Sequence, residues 1–117
     1  MNKNIIILIG QGKSTLTDFF VGENASSMPD CKLGAFDLEI LTIHDYIVCH
    51  GLDGILNNIK IIKKINDRKL IITERQYDTP IKYVPVQQII VHLQNESDIK
   101  EIPLSIKNRA LIFNLSI

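Results

Sequence analysis

Tryptophan is absent from this sequence of 117 residues, and cysteine occurs only twice. Cys31 and Cys49 form neither a CxxC pair nor a metal-ligand spacing, which argues against a disulfide framework and a zinc motif and favours a reducing compartment. Long apolar runs are also missing, since the run Ile5–Ile9 is too short for a membrane span or a secretory signal. We therefore expect a soluble cytoplasmic protein with no membrane span.

Net charge is also lacking, because 13 basic residues balance 13 acidic ones. The distribution is uneven: acidic residues dominate positions 1–58, and basic residues dominate positions 59–117. One basic cluster in the second half predicts either a contact with nucleic acid or a partner subunit, or a solvated helix face. Its members are Lys60, Lys63, Lys64, Arg68 and Lys69.

A hydrophobic content of 45% predicts a single domain over residues 1–117. Apolar runs alternate with segments of helical periodicity. We expect strands at Lys3–Ile9, Phe36–Leu41, Tyr46–Cys49, Leu70–Thr73, Gln88–Leu93 and Ala110–Leu115, helices at Lys13–Val21 and from Gly54 to about Asn66, and a surface loop at Glu23–Gly34. The second and third of these strands would form a hairpin. This order favours an α/β layered domain with a largely parallel sheet.

A glycine-rich turn joins the first strand to the first helix, with the residues Gly10-Gln11-Gly12-Lys13-Ser14-Thr15. The backbone N–H groups of such a turn, at a helix N-terminus, attract phosphate. Lys13 would add a positive charge, and the hydroxyl of Ser14 would bind Mg²⁺. The usual pattern has a further glycine where this chain has Ile7, so the turn is about three residues shorter. The alternative is an ordinary strand-to-helix turn in which Ser14 or Thr15 caps the helix.

Polar residues after the strand Tyr46–Cys49 would extend such a site. His50 is a candidate catalytic base, and Asp53 is the nearest carboxylate for a metal ion. Each has a structural alternative: Asp53 as the N-cap of the next helix, and His50 as an ordinary residue at a strand end.

A second polar group follows the strand Leu70–Thr73. Thr73 and Gln76 are candidates for contacting the terminal phosphate or the attacking water, and Arg75 would serve its own site or that of a neighbouring subunit. Arg109, just before the last strand, is a weaker candidate for the arginine role. A surface turn with solvated charges is the alternative.

Together these segments resemble a small, degenerate P-loop NTPase. The stretch Leu70–Pro80, followed by the strand Ile89–Leu93, is similar to the FtsK–HerA group, which includes phage packaging ATPases and Zot-like phage assembly proteins. The resemblance implies a P-loop domain that binds ATP and Mg²⁺ and hydrolyses ATP in a homo-oligomer, for DNA translocation, packaging or assembly in a phage or mobile element. The metal-binding Asp and catalytic Glu of the group correspond here to Cys49 and His50, which leaves hydrolysis open.

Two other interpretations remain. The chain is also similar to Ras-like GTPases, since Gly51 matches a turn glycine of that family and Asn95-Glu96-Ser97-Asp98 partly matches its guanine-binding motif. That resemblance implies GTP as the ligand. The remaining interpretation is a P-loop fold that has lost catalysis and acts as a binding or regulatory protein.

Overall fold

The computed structural model describes residues 3–28, 30, 45–67, 71–72, 81–82 and 88–115. Its elements are β1 (Ile5–Ile9), α1 (Lys13–Val21), β2 (Ala25–Ser27), β3 (Tyr46–Cys49), α2 (Leu52–Leu56), α3 (Ile59–Asn66), β4 (Ile71–Ile72), β5 (Ile81–Lys82), β6 (Gln88–Leu93), a 3₁₀ helix (Glu96–Glu101), α4 (Leu104–Lys107) and β7 (Ala110–Asn114). Helices alternate with strands of a parallel sheet, so the expected α/β fold class is confirmed.

The five-stranded sheet is parallel throughout and has the order β2-β3-β6-β1-β7. β1 lies between β6 and β7, with Ile7 beside Val91 on one side and beside Ile112 on the other. Because all strands run in the same direction, their carboxyl ends meet at one edge, where α/β proteins bind ligands. The glycine-rich turn after β1 and His50 after β3 therefore share that edge.

β1 is apolar on both faces because both faces of the sheet carry helices. On one face Ile7 belongs to a cluster that includes Ile62 of α3 and Ile106 of α4. On the other face Leu8 packs in a smaller cluster with Val21 of α1. This double burial accounts for the unbroken run of five aliphatic residues in β1.

The expectation that Glu23–Gly34 forms a surface loop is wrong over part of this segment. Ala25–Ser27 forms β2, which pairs in parallel with β3. The side chain of Asn24 donates to the carboxylate of Asp45 at 3.1 Å and accepts the backbone N–H of Asp45 at 3.2 Å, which joins the starts of the two strands. The expected strand Phe36–Leu41, and with it the hairpin, lies outside the described residues.

The single helix expected after β3 is two helices. α2 ends at Leu56, and α3 begins at Ile59. Between them, the buried side-chain amide of Asn58 donates a hydrogen bond of 2.9 Å to the backbone carbonyl of Gly54. In a continuous helix, that carbonyl would accept the backbone N–H of Asn58. Asp53 lies within the first turn of α2 and does not cap it, so that expectation is wrong.

The amino edge of the sheet is held by polar contacts far from the glycine-rich turn. Asn4, before β1, donates two hydrogen bonds to Asn66 at the end of α3, from its backbone N–H to Oδ1 and from its side-chain amide to the backbone carbonyl. Arg109, before β7, makes a two-pronged contact with Asp67, with Nε–Oδ1 and Nη2–Oδ2 distances of 3.0 and 2.8 Å. This hydrogen bond raises the pKa of Arg109. Arg109 thus lies at the opposite edge from the turn, engaged by Asp67, and is not placed to contact a phosphate there.

Candidate phosphate-binding site

The glycine-rich turn owes its shape to two residues with positive φ. Gly10 has φ 105° and Gly12 has φ 83°, values that side-chain-bearing residues seldom adopt. Together they reverse the chain between the end of β1 and the start of α1 at Lys13. The sequence therefore needs both glycines to bring the helix N-terminus directly over the carboxyl end of the central strand.

The N-terminus of α1 carries no side-chain cap, because the capping position is Gly12. The first N–H groups of a helix have no partner within it, and their dipoles attract anions. Apart from Gly12 and its two chain neighbours, no atom of the described residues lies within 4 Å of the position where a side chain at Gly12 would begin. Ser14 and Thr15 are exposed beside it, so the alternative in which either residue caps α1 is wrong. The turn offers open backbone donors to an anion.

Lys13 folds back over the turn. Its ammonium donates a hydrogen bond to the carbonyl of Gly10. The side chain is therefore held where an anion would arrive, and it would exchange this carbonyl for a phosphate oxygen. Both bonds are charge-assisted because the ammonium is ionised, and a phosphate oxygen adds an opposite charge that the carbonyl lacks.

A buried histidine lies behind the turn, on β6. His92 is beside Leu8 in the sheet and is only 7% exposed. Its Nε2 is 2.6 Å from Oγ1 of Thr17 on α1. The ring of His50 meets that of His92 edge-on, with 5.3 Å between the centroids. α1, β6 and the end of β3 thus each contribute one side chain to a polar cluster at the carboxyl edge of the sheet.

Burial lowers the pKa of His92, and the nearby His50 and Lys13 lower it further, against a smaller opposing effect of Asp18. His92 is therefore neutral at pH 7, with one ring nitrogen donating and the other accepting. A neutral ring can share a hydrogen bond with Thr17 without bringing a second positive charge close to Lys13.

This lowered pKa predicts a pH-dependent stability. Below about pH 6.5 the unfolded state takes up a proton at His92 before the folded state does, so the free energy of unfolding falls as the pH drops. Replacement His92→Gln should flatten this part of the profile in urea unfolding measured between about pH 5 and 8. His50→Gln, on the exposed ring, is the control and should retain most of the slope. An unchanged slope in His92→Gln would contradict the assignment.

A cavity of about 180 Å³ lies between α1 and the ends of β2, β3 and β6. Its polar walls come from Ser14, Thr17, Asp18, His50 and His92. Sites for whole small molecules measure about 300–1,000 Å³. The cavity is smaller than such a site, and it adjoins the glycine-rich turn only through Ser14.

The end of β3 differs from a magnesium site. Burial, with a smaller contribution from Asp30, raises the pKa of Cys49 to about 12, so the thiol stays protonated and is a poor ligand for Mg²⁺. Asp53 is exposed on α2 and does not line the cavity. Among the described residues, no three His, Cys, Asp or Glu side chains group closely enough to hold a metal ion. The protein groups present suit a phosphate better than a metal.

The expected group after Leu70–Thr73 cannot be placed. Thr73, Arg75 and Gln76 lie outside the described residues. Among the described residues, β4 pairs with β5 in a separate two-stranded antiparallel sheet. In the five-stranded sheet, the strand that lies between β1 and β3 is β6.

Sequence reasoning missed His92 and its partner Thr17. The available signal was the single polar residue in the run Ile89-Ile90-Val91-His92-Leu93, because a polar group in a buried strand needs a partner. The site that the fold assembles combines the glycine-rich turn, Lys13 and Ser14 with His50 and His92.

The part of the basic cluster that the structure describes lies far from this site. Lys60, Lys63 and Lys64 lie on α3, which ends against Asn4 at the amino edge of the sheet. Arg68 and Lys69 lie outside the described residues. The lysines therefore form a separate surface.

No family model matches the chain, and no curated protein matches it. Within the part of the chain that the structure describes, none of the helices has the length and apolarity to cross a membrane.

Proposed function

We propose that this protein binds a nucleoside triphosphate, most simply ATP, with its phosphates at Gly10–Thr15. The observation that carries the proposal is the uncapped N-terminus of α1 behind a left-handed Gly12, with Lys13 folded over it. Open backbone donors, a helix dipole and a movable ammonium are the three elements that phosphate binding requires. Gln11 and Thr15 complete the turn.

The resemblance to Ras-like GTPases rests partly on a motif whose residues make another contact in this structure. Asn95 and Asp98, the partial match to a guanine motif, form a reciprocal cap on the 3₁₀ helix. ATP is therefore a better candidate than GTP.

The chemistry supports binding more strongly than hydrolysis. Ser14 is the protein ligand that remains for Mg²⁺, with phosphate oxygens and water supplying the rest. His50 is the candidate base, and Thr73, Arg75 and Gln76 remain candidates for the terminal phosphate. A positioned base contributes about 10²–10⁴-fold to a rate. We propose that the monomer turns over ATP slowly. In the FtsK–HerA interpretation, full activity requires an oligomer that acts on phage or mobile-element DNA.

A second candidate function is a catalytically inactive binding or regulatory protein. The observation in its favour is the buried, protonated Cys49 at the strand end where an ATPase needs a carboxylate. Both functions share the phosphate site and differ in turnover. Measurement of ADP release over several hours, in wild type and His50→Ala, separates them.

The binding proposal predicts a thermal shift that depends on Lys13. ATP at about a hundred times its Kd should add roughly 2.7 kcal/mol to the free energy of unfolding, which is on the order of ten degrees for a domain of this size. Lys13→Ala should weaken binding by roughly tenfold to a hundredfold, because a charged hydrogen bond is lost. Lys60→Ala, an exposed lysine on α3, is the matched control. Equal shifts in the two variants would contradict the proposal.

A further inference from the structure

We propose that a basic corner at the amino edge of the sheet binds the phosphate backbone of double-stranded nucleic acid. Polar contacts at this edge bring three separate segments of the chain together, so the corner is a product of the fold. Only two of its lysines belong to the basic cluster that the sequence shows. The members of the basic corner are Lys3, Lys63, Lys64 and Lys107.

The end of α3 is the centre of the basic corner. Lys63 and Lys64 lie in the last turn of this helix. Lys3 directly precedes Asn4, whose backbone N–H donates to Oδ1 of Asn66 at 2.9 Å and whose side chain donates to the carbonyl of Asn66 at 3.1 Å. These two hydrogen bonds tie the chain before β1 to the end of α3, and Lys3 therefore lies beside the two helical lysines.

Arg109 adds the third segment. Its Nε and Nη2 bind the carboxylate of Asp67, directly after α3, at 3.0 and 2.8 Å. Its Nη1 donates to the carbonyl of Ser105 on α4 at 2.6 Å. One side chain thus joins the end of α3 to α4. Because Lys107 stands between Ser105 and Arg109, in the last turn of α4, it lies at the same corner.

The basic corner has an excess of positive charge, although the whole chain has no net charge. The described segments that form it, 3–4, 59–67 and 104–109, contain one acidic residue, Asp67, which Arg109 binds. In the part of the chain that the structure describes, none of the four lysines has an ion-pair partner. A helix C-terminus carries about half a negative charge, so the ends of α3 and α4 together offset about one of the four positive charges.

The lysines of the basic corner can all reach a partner, since two are exposed and the other two are half-buried. Double-stranded DNA carries one negative charge for about every 1.7 Å of its axis, so several lysines can contact phosphates at once. Contacts to phosphate carry no sequence information. We therefore expect binding that does not depend on the base sequence.

The composition of the corner favours a duplex over other anionic partners. Single strands are held largely by stacking of bases on aromatic side chains, and segments 3–4, 59–67 and 104–109 contain no aromatic residue. Helices that bind membrane surfaces insert an apolar face into the lipid. The apolar face of α3 is buried in the core, where Ile62 and Ile65 belong to the main cluster.

The basic corner and the proposed nucleotide site lie at opposite edges of the sheet. Asn4 precedes β1, whereas the glycine-rich turn follows the carboxyl end of the same strand. Binding of nucleic acid at this corner is therefore a further activity that does not depend on ATP binding, and each activity can fail without the other.

The test is fluorescence anisotropy of a labelled DNA duplex of mixed sequence and about 20 base pairs, titrated with the whole chain at several salt concentrations. For wild type we expect a dissociation constant of about 10⁻⁶–10⁻⁴ M at physiological salt. Four phosphate contacts predict that the affinity falls about a hundredfold between about 50 and 200 mM salt. Lys63→Ala combined with Lys64→Ala should reduce the slope of log affinity against log salt by about two, and Lys107→Ala should reduce it by about one.

Lys100 provides the matched control. It is exposed on the 3₁₀ helix that follows the carboxyl end of β6, and Lys100→Ala should leave the affinity and the slope unchanged. Lys63→Arg combined with Lys64→Arg keeps the charge and should keep the slope. Circular dichroism melts show whether each variant is folded, and Lys107→Ala, on a different helix, repeats the test if the double alanine variant is not.

Four results would overturn the proposal. The first is a wild type that binds no duplex at about 50 mM salt. The second is a Lys100→Ala variant that loses as much affinity as the double alanine variant. The third is tighter binding of a single strand of the same length than of the duplex. The fourth is tighter binding of phosphatidylserine vesicles or of polyglutamate, which would indicate a membrane or an acidic protein as the partner.

Discussion

Replacement of Gly12 by valine is expected to weaken nucleotide binding by at least about a hundredfold. Gly12 has φ 83°, and the space beside its Cα is open. A valine side chain would fill the place through which a phosphate approaches the backbone N–H groups, and it would strain the left-handed turn by about 1–3 kcal/mol. Titration calorimetry with ATP should show affinity reduced by at least about a hundredfold, since several donors are blocked together.

Gly22 supplies the matched control at the other end of the same helix. It also has a positive φ, 55°, and apart from its chain neighbours no atom of the described residues lies within 4 Å of the position of an added Cβ. Gly22→Val should therefore destabilise the protein at least as much as Gly12→Val, but should bind ATP like wild type. If both variants bind equally well, the backbone of the turn is not the phosphate site.

Replacement Cys49→Asp is expected to lower the free energy of unfolding by about 3–5 kcal/mol at neutral pH. Cys49 is 1% exposed and belongs to the main apolar cluster. A carboxylate there would lose its hydration, and the nearby Asp30, which already acts on the Cys49 thiol, would add repulsion. Urea unfolding measures the change, and protonation of the new carboxyl at lower pH should recover part of the loss.

Cys49→Asn is the control, because it has nearly the same shape without the charge. It should be destabilised less than Cys49→Asp at neutral pH, and the difference should shrink in acid. A Cys49→Asp variant as stable as wild type, or one stabilised by Mg²⁺ in the absence of nucleotide, would show that the end of β3 is open to a metal. The interpretation that the end of β3 is part of the closed apolar core would then be wrong.

The local pattern was sufficient for the elements nearest the site. The helix expected at Lys13–Val21 and the strand expected at Gln88–Leu93 have the observed bounds, since glycines end the helix at both sides and an apolar run defines the strand. β2 could not be found in the same way. Ala25-Ser26-Ser27 has no apolar run, and its strand conformation comes from pairing with β3.

The remaining features of the fold and the site depend on strand pairing and on contacts between residues far apart in sequence. The run at Leu70–Thr73 predicts a strand, but nothing in it tells which strand is its neighbour, and β4 pairs with β5 outside the main sheet. His92 and Thr17 are 75 positions apart in sequence. Their contact follows from the order of strands around β1, which local periodicity does not encode.

The most direct test of the central claim is a two-dimensional ¹H–¹⁵N NMR titration of the protein with ATP and Mg²⁺. If the turn binds phosphate, the largest amide shift changes should fall on Gly10–Thr15, with smaller changes near His50 and His92. Inorganic triphosphate should shift the same amides, because phosphate groups make the main contacts. Shift changes centred on Lys60–Lys64, or none at saturating ATP, would contradict the claim and leave Gly10–Thr15 as an ordinary turn between strand and helix.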